Sequence, residues 1–160
     1  MVIRYVTGTV RGVTAWAVGY LVVALLLALD IVNGTGILKT AAEIYINAHT
    51  VPGITGPFEW IVLVPIVIIG IVGFRLGSSV GRGLIGRTKA LIAGRGDSRP
   101  YRFKKAGKQL TIFGIGYLLA TLIVGTLAGV EAQSGLVNAA ILVLVVGAPV
   151  VVVGIILAER

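Results

Sequence analysis

The chain has 160 residues, 57% of them hydrophobic, with a mean hydropathy of +1.03 and a net charge of +8. Such an apolar composition excludes an ordinary soluble domain. The absence of cysteine rules out disulfide and thiol chemistry, and a single histidine closes most routes to a transition-metal site.

Four apolar runs occupy about half the chain, each long enough to cross a hydrocarbon core of about 30 Å, which takes roughly 20 helical residues. After a tail carrying Arg4 and Arg11, the first span is expected over 12–32. It is too long for a signal-peptide core and lacks a convincing cleavage site, so it reads as an uncleaved span. Asn33, Gly34, Thr35 and Gly36 form a turn signal. Residues 37–49 follow with helical periodicity, Ile37, Leu38, Ala41, Ala42, Tyr45 and Ile46 making an apolar stripe beside Lys39 and Glu43. This segment is too short to span and is expected to lie in the outer interface. Pro52, Gly53, Gly56 and Pro57 interrupt the chain before a second span over 58–75 that extends toward Val80.

A basic connector over 75–108 comes next, with ten of the fourteen Lys and Arg residues and one acid, Asp97. Within it, 80–94 has the pattern of a short amphipathic helix, with Leu84, Ile85, Leu91 and Ile92 opposite Arg82, Arg87 and Lys89. The third span is expected over 110–130, an outer turn over 131–135, and the fourth span over 136–158. The side holding both termini and the connector carries +11, and the opposite side carries −3. Positive loops stay inside, which predicts four spans with both termini on the cytoplasmic or interior side.

The spans repeat. The segment from Arg11 to Leu21 aligns without gaps on Lys108 to Leu118, matching Thr14, Gly19, Tyr20 and Leu21 with Thr111, Gly116, Tyr117 and Leu118. Pro65 and Gly70 likewise match Pro149 and Gly154. The predicted fold is therefore an all-α integral membrane protein. It consists of a first hairpin (1–74), the basic connector (75–108) and a second hairpin (109–160), the two hairpins being tandem copies related by an axis along the membrane normal.

Helices in lipid associate by close packing of small residues. Gly73, Gly77 and Gly81, and Gly125 and Gly129 beside Thr121, are therefore expected to pack helices within the bundle. Pro65 and Pro149 should kink their spans, because each removes a backbone donor. Asp30, Glu59 and Glu131 fall at span ends and Arg75 can reach the interface, so no ionisable group is expected at the membrane midplane. That weakens a proton-coupled transporter.

Several motifs lack the context their chemistry needs. Gly77–Gly81 fits G-x-S-x-G around Ser79, but His49 is expected on the opposite face, solvated. Gly81–Gly86 fits G-x-G-x-x-G with no preceding strand. Arg95-Gly96-Asp97 reads as an inner turn, the sequon at Asn33 stands close to a span, and Glu43 and His49 are badly spaced for a metal.

The connector carries the one chemical signal. Arg82, Arg87, Lys89, Arg95, Arg99, Arg102, Lys104, Lys105 and Lys108, interleaved with Tyr101 and Phe103, suit phosphate on anionic headgroups or on nucleic acid. The expected function is a non-catalytic structural or scaffolding membrane protein. Its basic inner face would engage anionic lipid, nucleic acid or a partner subunit, as in a protein lining an enveloped virus or vesicle. Further copies of the chain or a larger membrane complex are expected partners, and no cofactor is implied. The alternative is a small transporter or channel built from two parallel hairpin repeats. No assembled acid, base, nucleophile and metal set points to an enzyme.

Overall fold

The computed structural model describes residues 2–30, 36–49, 59–81, 99–129 and 132–158. Among them every regular element is helical. Helix α1 runs Val2–Asp30 and α2 Ile37–Asn47; a 3₁₀ turn at Glu59–Val62 leads into α3, Leu63–Gly81. Helix α4 spans Arg99–Ala128, and the last rod is α5 (Ala132–Leu142), a π turn (Val143–Gly147) and α6 (Ala148–Ala158). Four stretches, Tyr5–Leu29, Leu63–Val80, Tyr101–Ala128 and Gly135–Ala158, are long and apolar enough to cross a membrane. The chain thus has the make-up of a multi-pass integral membrane bundle. The proposed amphipathic helix at 80–94 falls largely outside the described residues, as does Asn33.

Three helices start earlier than expected, the last rod at Ala132, inside the expected outer turn over 131–135. Helix α4 begins at Arg99, eleven residues ahead of the apolar run, and α1 begins at Val2 rather than Gly12. Charge does not stop a helix; Arg, Lys and Gln are good helix formers, and Pro100 stands in the first turn of α4, where a missing N–H costs nothing. At the other end of α4, Gly129 adopts φ +67° and its N–H reaches the Thr126 carbonyl at 3.2 Å. A side chain there would meet open space. Gly129 therefore ends a helix and packs none, because the left-handed conformation of a helix stop suits glycine.

The most extensive interfaces join α1 to α4 and α3 to the α5–α6 rod. Both pairs are parallel. Gly8 abuts Ile112 and Gly12 abuts Gly116, and a Cβ on Gly12 would strike the Phe113 carbonyl and the Tyr117 amide. Gly73 faces Gly147, and Gly77 lies against Val151 and Gly154. Backbones come this close only where side chains are missing, which is how helices associate in lipid without a solvent-driven force. Gly125 is buried, and the surroundings of Gly81 are not described.

Both prolines follow departures from α geometry. Pro65 is third in α3, directly after the 3₁₀ turn, and Pro149 comes two residues after the π turn. Tightening the helix ahead of one proline and widening it ahead of the other are two ways to accommodate an absent donor.

Trp16, Val23, Leu27, Ile69, Phe113, Tyr117 and Ile155 form the centre of the bundle. Leu63, Val67, Ile71 and Phe74 of α3, with Ile115, Leu119 and Ile123 of α4, turn outward. Helix α2 exposes Leu38, Lys39 and Thr40 and packs its other face on the bundle. Its stripe of Ala41, Ala42, Tyr45 and Ile46 is buried against α1 and α4, with Ile46 over Gly135 at the start of the last rod.

Candidate functional site

The starts of α1 and α4 and the end of α3 meet at one end of the bundle, the end that carries the cations. They enclose an open-sided cavity of about 400 Å³. Its rim is exposed and polar: Tyr5, Thr7 and Arg11 from α1, Lys105 and Lys108 from α4. Its floor is buried and apolar: Leu76 from α3, Ile112 and Phe113 from α4. Helical geometry makes this arrangement. Lys105, Lys108 and Ile112 are spaced by three and four residues, so they stack on one face of α4, and Gly8 lets α1 approach that face at Ile112. The Lys108 ammonium stands 4.9 Å from the Tyr5 ring centroid, an attraction that holds the cation at the rim. On α2, Lys39 and Glu43 form an ion pair at 4.0 Å, away from this cavity.

Of the nine basic residues singled out in the sequence, the structure brings two, Lys105 and Lys108, into this cavity. Lys104 is exposed beside it, while Arg102 is 7% exposed, folded into the packing of α4. Arg99 opens α4, and its side chain is not described; Arg82, Arg87, Lys89 and Arg95 lie outside the described residues. Arg11 completes the cation set, and charge counting alone does not distinguish it from the rest of the tail. The sequence did hold a signal for it: Arg11 is aligned with Lys108 at the head of the repeated segment.

A second polar assembly is buried between α1, α2 and α4, and no sequence motif marks it. His49 is 2% exposed, contrary to the solvated residue expected. Its Nδ1 lies 2.7 Å from the Tyr45 carbonyl and 3.3 Å from that of Ile46. Carbonyls only accept, so Nδ1 carries the proton and Nε2 must accept, here from the Tyr117 hydroxyl at 2.8 Å. The Tyr117 oxygen in turn accepts from the Tyr45 hydroxyl at 2.9 Å. The result is a one-way chain, Tyr45 to Tyr117 to His49 to the Tyr45 carbonyl. Trp16 closes it, its ring edge-on to Tyr45 at 5.2 Å and stacked on Tyr20 at 5.6 Å. A side chain at position 19 would occupy the place of the Tyr45 hydroxyl, so Gly19 is what admits α2.

Burial lowers the His49 pKa to about 4, against the pull of its two backbone hydrogen bonds, and raises that of the Tyr45 phenol. The turn after α2 carries a neutral imidazole to Tyr117, which lies within the apolar stretch Tyr101–Ala128. The same pairing separates His49 from Ser79, whose hydroxyl donates to the Leu76 carbonyl at 2.8 Å.

Comparison with protein-family models, with curated proteins and with solved structures finds no match. The chemistry of the cavity is therefore the ground for a functional reading.

Proposed function

We propose that this chain is a non-catalytic, multi-pass membrane scaffold that engages anionic lipid through its basic end, with both termini on the cytoplasmic or interior side. The observation that carries this reading is the cavity: cations from two helices gathered over an apolar floor, where a lipid-facing bundle gives way to charge. Anionic headgroups attract Lys and Arg near the surface by about 1 kcal/mol each.

The two hairpins read as tandem copies. Two hairpins entering from one side put first helices parallel to each other and second helices parallel to each other, and both glycine-packed pairs run that way. The copies are staggered. Gly116 aligns with Gly19 but meets Gly12, a slip of seven residues or about 10 Å along the axis. The α3 pair slips in the same sense, since Gly73 aligns with Leu157 but meets Gly147. The second hairpin thus stands nearer the basic end and leaves a step at the opposite end. Helix α2, which belongs to the longer loop of the first hairpin, fills that step. Its burial against α1, α4 and Gly135 follows from the stagger.

The test is lipid selectivity. The protein is reconstituted in bilayers of mixed charge with spin-labelled lipids, and the enrichment of anionic over zwitterionic lipid at its surface is read. Enrichment that falls when Arg99, Lys105 and Lys108 are changed together to Gln supports the reading; equal association of both lipid types would reject it. The alternative, a small transporter, is favoured by one observation, the buried hydrogen-bonded chain through His49 in the turn after α2, a helix packed against the bundle. Solute flux in sealed vesicles that disappears on Tyr117→Phe would favour it.

A further inference from the structure

The cavity at the basic end is more particular than a charged surface. Its three cations, Arg11, Lys105 and Lys108, come from two helices that are locked together by backbone contacts at Gly12 and Gly116. Lys108 is held over the Tyr5 ring. Directly beneath lie Leu76, Ile112 and Phe113, each under a tenth exposed. A free inorganic anion has no use for such a floor, and a nucleic acid strand has no way to cover it from a cavity of about 400 Å³. A molecule with negative charge directly joined to an apolar body fits both parts.

We propose that this cavity is a stoichiometric binding site for one anionic phospholipid. The phosphate sits among Arg11, Lys105 and Lys108, the glycerol backbone lies over Leu76, Ile112 and Phe113, and the acyl chains continue along the outward faces of the bundle. The inference rests on the reading that the basic end meets an anionic leaflet, and adds a defined place and a count of one to it. The volume sets that count, since a cavity of this size takes one headgroup. A pocket held rigid by its two walls also loses little on binding, so the first lipid binds more tightly than any that follow.

The experiment is native mass spectrometry of the full chain in mild detergent, titrated separately with phosphatidylglycerol and with phosphatidylcholine. The expected result is a single phosphatidylglycerol bound at least tenfold more tightly than the second and than any phosphatidylcholine. Two variants that remove equal charge give the decisive comparison. Arg11→Gln with Lys108→Gln should weaken the first phosphatidylglycerol by about tenfold or more. Arg75→Gln with Lys104→Gln, at exposed cations outside the cavity, should leave it within about twofold. Loss of the tight lipid from the first pair alone supports the site. A graded series of phosphatidylglycerols that both pairs weaken equally overturns the site, while the broader reading of a lipid-engaging basic end stands. Equal binding of the two lipids by the unmodified chain overturns both. Should the cavity pair fold poorly, the unmodified chain still decides, because a first phosphatidylglycerol no tighter than the second removes the site. Inorganic phosphate is the remaining arm: if it raises the melting temperature as much as the phospholipid does, and displaces it, the ligand is a free phosphate and the lipid assignment fails.

Discussion

The His49 chain makes the stability of the bundle depend on pH in a calculable way. Burial holds the folded-state pKa of His49 at about 4, against about 6.5 for an exposed histidine. Above pH 6.5 the imidazole is neutral in both states and titration changes nothing. Between about pH 6.5 and 4 the unfolded chain takes up a proton that the folded chain refuses, so stability falls as pH falls. Below about 4 both states are protonated and the loss is complete. The gap of about two and a half pH units corresponds to about 3 kcal/mol, a sizeable part of the 5–15 kcal/mol that holds a typical domain folded. In structural terms, a proton on Nε2 removes the lone pair that accepts the Tyr117 hydroxyl and leaves a charge among Tyr45, Tyr117 and Trp16. The comparison is with His49→Gln, which retains a donor and an acceptor and does not titrate. Denaturant unfolding in mild detergent is followed by tryptophan fluorescence, to which Trp16 beside Tyr45 contributes. Subtracting the variant from the unmodified chain cancels the carboxylates. The difference should be flat above pH 7, shift against the unmodified chain by about 3 kcal/mol between pH 6.5 and 4, and then level off. A difference that stays constant from pH 7 to 4 would show that His49 is not buried neutral and would sink the argument.

Gly12→Ala should destabilise the bundle by about 1–3 kcal/mol or more, since its Cβ meets backbone atoms of α4 that no rotamer change can move aside. Gly107→Ala, facing open space on the same helix pair, should instead gain up to about 1 kcal/mol from helix propensity, and equal behaviour of the two in the same unfolding assay would refute the packing argument. Tyr117→Phe strips the acceptor from Tyr45 and the donor from His49, and should cost about 2–4 kcal/mol. Tyr20→Phe, whose lost hydroxyl donates at the exposed surface to the Leu38 carbonyl, should cost less than about 1 kcal/mol, and a Tyr117 loss no larger than this would break the proposed chain.

What the sequence made legible is what composition controls. Four apolar windows of membrane length are visible because hydrocarbon tolerates few other segments, and all four appear as helices. Where those helices begin is not legible, because α4 passes from Ile112 back to Arg99 through Gly107, and a single glycine weakens a helix without ending it. The stripe on α2 is visible as periodicity, but the same stripe suits a lipid surface or a groove between helices. What decides is Gly19, on another helix, which makes room for Tyr45. His49 was misread for a related reason: its partner Tyr117 is 68 positions away, and a lone histidine with no local partner looks like a solvated one. Glycine spacing picked out Gly73 and Gly77 without their partners Gly147 and Gly154, and it misassigned Gly129, because spacing cannot tell a packing glycine from a helix stop. For the cavity, two of the three cations, Lys105 and Lys108, lay in the emphasised connector, and Arg11 was hidden in the tail.

The parallel pairing of α1 with α4 and of α3 with the last rod also sets the order in which the molecule can be built. Each glycine face meets its partner only after a long stretch of further synthesis, from Gly12 to Gly116 and from Gly77 to Gly154. Helices α1 and α3 are therefore made with these closest-packing surfaces uncovered, and their packing waits on synthesis of the second half of the chain. A nascent chain halted before α4 would present two bare glycine seams to its neighbours, which makes the second half of the polypeptide, in effect, the chaperone of the first.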